Sequence, residues 1–502
     1  MMGTRRLAAL TANPAIPWRS SLVIASAGVA LVILRLLWPV ASGLADNGDG
    51  PRYICQLGFV PADSDEPRYW DHPIMQWVWS PSGGRGSDWC GAYPSSHVWI
   101  LRIAAMVTAA TGAPDHLDLR WVILGYAVLV GLLTGAVAFL IARGLAARVL
   151  IAGAFLSVMS DPAFAGYAGS ILGELPGIVG ISLIAVGAVF AGTCGSKRLA
   201  GLAAVAAGSV LALTSKPQAA TLVLPIAAFL LTTAIQPAPD AGPAPPGGAL
   251  RQGFAHRVLS VAISAVLLVP AGWVLAKNPD DIQTINPWEL ISVGILGHSD
   301  DPAADLREMG FPGELAEYAG DSVWTDDSIL HTPAWDENAH LMTYGTVATF
   351  LLAHPDRAVG IADRAARDYF ATRPDYLGNY PVAAGRAPGE LAFSPLATLA
   401  RPVAGGGLAL LIALWTAIVA INAARIRRSP RGSAGRAFAT AALLMVGIAV
   451  VQFFTAAFGE AIENTKHLVF AILAGFLAAV LTAGSCLADP RRHGAREPGT
   501  GS

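Results

Sequence analysis

The chain has 502 residues, 54% hydrophobic and 14% charged, with mean hydropathy +0.52. Soluble domains carry about 25% charged residues, so this composition argues against a soluble globular protein and for a polytopic membrane one. A net charge of −2 with no basic stripe gives nucleic acid no footing.

Residues 1–20, with Arg5, Arg6 and Arg19, read as a cytoplasmic N-terminus. The apolar run from Ser21 to Gly43 can cross about 30 Å of hydrocarbon, whereas the apolar core of a signal peptide is about 7–15 residues. It reads as a retained anchor, with cleavage near Ala45 as the alternative. Candidate spans are 21–43, 119–142, 147–160, 175–193, 198–214, 217–235, 257–276, 402–423, 437–456 and 467–486. The third is shorter than the roughly 20 residues of an ideal span. It reads as tilted, or as a broken helix continuing through Ala163–Gly173. Pro217 disfavours helix at Lys216 and separates the fifth span from the sixth. The expected fold class is an all-α, polytopic transmembrane helical protein of about ten spans, with roughly 9–13 as the range.

Arg143 and Arg148, Lys197 and Arg198, Arg251 and Arg257, the Arg425–Arg436 cluster, and Arg491, Arg492 and Arg496 all fall on one side of that threading. Positive charge marks the cytoplasmic side, which places both termini there, in a plasma membrane. The domain plan is then an N-terminal transmembrane module, 21–276, that includes a first extracytoplasmic loop, 44–118. A second such loop with interfacial helices, 277–401, follows; C-terminal helices, 402–486, and a cytoplasmic tail, 487–502, complete the chain.

In the first loop, Pro94–Gly112 predicts a helix interrupted by Arg102. Trp70, Trp77, Trp79, Trp89 and Trp99 crowd the same loop, as interface anchors or as platforms for sugars. Cys55 and Cys90 share it too; an oxidising compartment would let them pair, and two separate thiols are the alternative. Cys194 and Cys486 end other apolar segments. Pro237–Gly248 reads as a flexible connection. In the second loop, Pro355 to Tyr369 spaces Ala358, Ile361, Ala362, Ala365 and Tyr369 as one helical face. That face lies on the outer leaflet or packs on its own domain. The aspartates Asp300, Asp301, Asp305, Asp326, Asp327 and Asp336 are too dispersed for a metal site and read as solvated surface.

The ionisable groups gather at the extracytoplasmic span ends. The stretch Asp46-Asn47-Gly48-Asp49-Gly50-Pro51-Arg52-Tyr53 follows the first span, and Asp161 and Glu174 flank the connection between the third and fourth. Lys216 and Gln218 sit at the fifth-to-sixth turn; Glu460, Glu463, Lys466 and His467 precede the last span; Arg35 lies in the outer half of the first. Charges near the membrane are costly unless paired or hydrated and mark functional cavities. Each has a plainer reading. Asn-Gly and Asp-Gly form turns, Glu174 suits a helix N-terminus, Lys216 and Arg35 can snorkel, and Glu463 can simply pair with Lys466. A carboxylate beside cations, facing outside, suits transfer from a lipid phosphate: the carboxylate deprotonates an acceptor hydroxyl and the cations stabilise the departing phosphate.

An acidic pair after the first transmembrane helix resembles the GT-C superfamily of membrane glycosyltransferases. Asn47-Gly48-Asp49, Lys216-Pro217-Gln218, Leu377-Gly378-Asn379-Tyr380 and Glu463 with Lys466-His467-Leu468 look like its bacterial envelope members. The adjacent acidic pair common in that family is replaced here by Asp46 and Asp49. The resemblance implies a hexosyl- or pentosyltransferase that moves a sugar from a polyprenyl-phosphate donor to an envelope glycan, glycolipid or glycoprotein, with inversion. Asp49 would be the base, with Asp46 orienting or replacing it. Arg52, Lys216, Lys466 and His467 would hold the phosphate, with Glu174, Gln218 and Glu463 also in the substrate site. No cofactor is required, though Asp46 and Asp49 could ligate a divalent cation. The rivals are a transporter or flippase of a lipid-linked or anionic solute, an acyl- or phosphotransferase, and a membrane scaffold. The absence of an internal repeat counts against the first, and the dispersal of His97, His116 and His467 against the second.

Overall fold

The computed structural model describes residues 16–63, 70–81, 83, 90, 94–141, 143–193, 196–235 and 248–488. Arg5, Arg6, Trp89, Cys194, Arg491, Arg492, Arg496, the side chain of Arg251 and nearly all of Pro237–Gly248 lie outside them. Helix α1 (Ile16–Leu37) stops short of the expected Gly43. Pro39 has no N–H to continue the helix and pushes Trp38 out of the α region. Residues 41–47 therefore leave the helix without regular structure. They lead to α2 (Pro51–Ile54), which begins on a proline.

The first loop corrects the all-α expectation, so the protein is mostly rather than wholly α. Strands β1 (Phe59–Pro61) and β2 (Gln76–Trp79) precede helix α3 (His97–Ala110), and strand β3 (His116–Asp118) follows it. They pair antiparallel in the order β1-β2-β3, with Phe59 opposite Trp79 and Trp77 opposite Leu117. Trp77 and Leu117 point inward and are buried. Alternation over so few residues is a weak signal in sequence. A Cys55–Cys90 disulfide, Cα atoms 5.8 Å apart, ties the end of α2 to the rest of the loop.

Helix α4 (Arg120–Leu140) leads to α5 (Leu145–Met159) and the short α6 (Pro162–Ala165). The two segments Leu145–Met159 and Pro162–Gly169 meet at 47°, which matches the broken-helix alternative for this span rather than the tilted one. Helices α7 (Leu175–Ala191) and α8 (Ser196–Leu213) pack backbone to backbone: a β-carbon at Gly180 would stand 2.4 Å from the Gly208 carbonyl oxygen. A 3₁₀ turn (Pro217–Leu222), α9 (Val223–Ile235) and α10 (Gly248–Ala276) complete the N-terminal part.

In the second loop α11 (Asp280–Glu289) runs into a π-helical turn (Leu290–Ile295), followed by α12 (Pro302–Glu308), α13 (Pro333–Asn338) and α14 (Tyr344–Ala353). Helix α15 (Pro355–Ala371) buries Ile361, Ala362, Ala365, Ala366, Tyr369 and Phe370. After α16 (Pro395–Ala400) come α17 (Gly407–Arg428), α18 (Ala434–Ala457), α19 (Asn464–His467) and α20 (Val469–Leu487). Tyr369 of α15 packs edge-on against Trp415 of α17, ring centres 6.2 Å apart, so the apolar face of α15 is covered by its own chain.

Six helical segments among the described residues are long and apolar enough to cross a membrane: Trp18–Leu37, Arg120–Leu140, Arg257–Ala276, Pro395–Arg428, Ala434–Ala457 and Val469–Leu487. The bent pair makes a seventh if it crosses as one, and Leu175–Ala191 and Pro217–Thr233 are shorter apolar helices. This is a multi-pass membrane protein. The last span is 72% buried within the protein and Pro395–Arg428 only 17%, so α20 is central and α17 peripheral, with its apolar surface left to lipid.

Candidate active site

The segment after α1 is held by backbone pairing to a motif far along the chain. Gly43 N–H donates to the Asn379 carbonyl (3.0 Å), Asn379 Nδ2 donates to the Gly43 carbonyl (2.7 Å), and Ala45 N–H donates to the Gly378 carbonyl (2.9 Å). A β-carbon at Gly43 would lie 1.9 Å from the Gly169 carbonyl oxygen, and one at Gly378 1.8 Å from that of Asp71. Leu377-Gly378-Asn379-Tyr380 is thus a clamp on the first loop. Gly48 has φ +100° and Gly50 N–H donates to Asp46 Oδ1 at 2.8 Å. The turn reading of this stretch is therefore correct, and the turn is what presents Asp46 and Asp49.

Four parts of the chain, the turn of Asp49 among them, meet in one cluster. Lys466 Nζ donates to Asp49 Oδ2 at 2.5 Å and to Glu463 Oε2 at 3.0 Å. Arg52 lies 3.1 Å from Asp49 Oδ1 and Lys216 Nζ 3.8 Å from Oδ2. Lys216 Nζ also donates to Glu174 Oε1 at 2.7 Å, and Asn47 Nδ2 to Glu463 Oε2 at 2.5 Å. The groups read from sequence as sharing one face of the membrane do share one end of the bundle. Arg148, which donates to Ser20 Oγ, and Arg425, which donates to the Ser485 carbonyl, mark the other end.

The cluster holds three cations, Arg52, Lys216 and Lys466, and three carboxylates, Asp49, Glu174 and Glu463. Lys466 is fully enclosed, whereas Lys216 and Arg52 keep 11% and 16% of their side-chain surface exposed. Those two are the cations within reach of a ligand. Burial alone would raise the Asp49 carboxyl, but Lys466, Lys216 and Arg52 outweigh it and hold it well below the usual carboxylate range. Glu174 is likewise lowered: burial opposes ionisation and Lys216 and Lys466 overcome it. Asp46 behaves differently. Burial pushes it up to about 6, against the Gly50 N–H that favours the charged form.

The remaining expected residues have plainer partners. Gln218 Nε2 donates to the His467 carbonyl at 2.7 Å, and the His467 ring pairs with Glu460. Arg35 donates to the Phe393 carbonyl, apart from the cluster. Asp161 accepts from Ala163 N–H (3.0 Å), Ser394 Oγ (2.6 Å) and Leu396 N–H (3.0 Å), which makes it a brace at the helix break. Asp49 meets positive side chains at both oxygens, a setting that repels a further cation. Among the described residues no group of three or more His, Cys, Asp or Glu side chains is arranged to hold a metal ion.

Sequence reading missed two tyrosines. The hydroxyls of Tyr167 and Tyr376 are buried without a hydrogen-bond partner among the described residues, as are Glu174 Oε2, Glu463 Oε1 and Asn47 Oδ1. Both phenols feel the charges of Glu174, Glu463 and Lys466. Tyr376 was findable, since it lies just before the Gly378-Asn379 clamp. Beside Asp46 a cavity of about 180 Å³ is lined by Phe59, His72, Ile74, Trp77 and Ser170 among others.

Residues 11–493 match the family described as the YfdI N-terminal transmembrane domain. The chain belongs to that family. The match covers all of the transmembrane helices and both loops, so the cluster lies wholly inside the YfdI-type domain. No curated protein and no solved structure matches the chain.

Proposed function

We propose that this chain is a membrane glycosyltransferase that moves a sugar from a polyprenyl-phosphate donor to an envelope glycan, glycolipid or glycoprotein. On this reading about ten spans adopt a GT-C-like arrangement, with the loops 44–118 and 277–401 and the site outside the plasma membrane and both termini in the cytoplasm. One observation carries it: Arg52, Lys216 and Lys466 converge on Asp49, while at Asp46, next to a cavity, burial outweighs the pull of Lys466.

The two carboxylates suit different tasks. An acid held far below its usual range by three cations is a weak base, so Asp49 organises the cations. A carboxyl at about 6 is matched to general-base work near neutral pH, which moves the base from Asp49, the sequence expectation, to Asp46. In the reaction Asp46 takes the acceptor hydroxyl proton, the acceptor oxygen bonds to the anomeric carbon, and the bond from that carbon to the phosphate oxygen breaks. The polyprenyl phosphate leaves with one more negative charge, which Arg52 and Lys216 offset. One displacement inverts the anomeric centre.

The test is transfer of radiolabel from a panel of polyprenyl-phosphate sugars by the purified protein, with Asp46→Asn and Asp49→Asn alongside. Transfer by the wild type that is lost in Asp46→Asn is expected. A folded wild type that transfers no label from any donor overturns the proposal and favours transport.

A further inference from the structure

Trp70 stands across from Asp46. Its N–H donates to the Asp46 carbonyl at 2.9 Å, and its own carbonyl accepts from Gly378 N–H at 2.6 Å. It is one strand-like bridge between the two loops, attached to the residue named above as the base. Its backbone has φ +61°, a left-handed conformation that disfavours any residue with a β-carbon and suits glycine. A large indole stands at this position with 46% of its surface exposed. Retained strain of this kind clusters at sites of binding.

Beneath the indole lies Tyr376, ring centres 5.4 Å apart and tilted by 55°. The far end of Tyr376 carries the buried hydroxyl, without a partner among the described residues and facing the charges of Glu463, Lys466, Glu174 and Asp49. Near it are unpartnered acceptors, Glu174 Oε2 and Glu463 Oε1. A phosphate only accepts at these positions and would leave the carboxylate oxygens unmet. Hydroxyl groups, which donate and accept, meet both kinds.

Resting on the glycosyltransferase reading, we infer that Trp70 is the acceptor-binding residue of this site: its exposed indole takes the ring of an acceptor carbohydrate, with Tyr376 behind it as support. Aromatic faces suit the C–H surfaces of a sugar ring, and Trp70 sets that ring next to Asp46, where the acceptor hydroxyl must lose its proton.

Two readouts test this on the full-length protein in detergent. Trp70→Gly removes the ring and relieves the backbone, so apparent Tm should hold or rise while KM for the acceptor rises tenfold or more and KM for the donor stays within twofold. Trp70→Phe should recover acceptor KM to within about threefold. Saturation-transfer NMR with methyl α- and β-pyranosides of glucose, galactose and mannose needs no turnover. Binding in wild type that is lost in Trp70→Gly supports the inference even if no donor is ever used. Equal binding in both proteins, no binding in either, an unchanged acceptor KM, or a fall in Tm with binding intact overturns it.

Discussion

Lys466 Nζ lies 2.5 Å from Asp49 Oδ2, joining residues 417 positions apart in the chain. The lysine is fully buried, and Asp49 and Glu463 are the carboxylates paired with it directly. Burying an ion without its partner costs far more than the pair contributes.

Lys466→Met should therefore destabilise the protein by about 3–5 kcal/mol. Thermal melts in detergent would show it as a large fall in apparent Tm. The double change Lys466→Met with Asp49→Asn should recover part of the loss, because one of the two stranded carboxylates is gone.

Asp46→Asn should lower kcat by about 10²–10⁴, the usual contribution of a general base, and leave donor binding near wild type. Asp49→Asn should weaken donor binding as well, since the cations lose the group that sets their positions. In the wild type the rate should fall as pH drops through about 6, where Asp46 takes up its proton. A pH profile of kcat/KM that stays flat down to pH 5 would rule out Asp46 as the base.

The two aspartates should also move stability in opposite directions. The folded pKa of Asp46 is raised, so its contribution is fully present below the unfolded value of 3.8 and is lost as pH rises through about 6. Asp46→Asn should thus raise apparent Tm at pH 7.5, with the gain shrinking toward pH 4. Asp49 is lowered, so it stabilises above its unfolded value and that stabilisation is lost on acidification. Asp49→Asn should lower Tm at pH 7.5 and still at pH 4, the difference shrinking only as pH falls below the unfolded value of 3.8.

Gly43→Ala should disable the site without touching a charged group. The added β-carbon would collide with the Gly169 carbonyl, which belongs to a buried backbone turn that cannot swing aside. The segment carrying Asp46 would shift, and transfer should fall at least tenfold while the membrane helices stay intact by circular dichroism.

Replacing Cys55 and Cys90 together with serine reopens a loop whose ends are 35 residues apart. The loss of that cross-link should cost about 4 kcal/mol. Melts with and without a thiol reductant should differ for the wild type and coincide for the double variant.

Much of this protein was legible in its residues alone. The long apolar runs required membrane-spanning helices, because backbone groups in lipid must be satisfied within the segment. The shortness of the third span pointed to a tilt or a break near Asp161, the stop at Lys216-Pro217 followed from local proline chemistry, and the placement of arginines put Asp49, Glu174, Lys216 and Lys466 on one side. Other features had no local signal. The three short strands depend on partners outside themselves. Which carboxylate each lysine meets, why Asp46 and Asp49 titrate apart, and how Gly378-Asn379 grips Gly43 were decided only by the packed chain. Hydropathy and charge act through a side chain's own neighbourhood and can be read from its neighbours in sequence. A buried ion pair instead depends on distances of a few ångströms between distant segments, which exist only once the helices have packed.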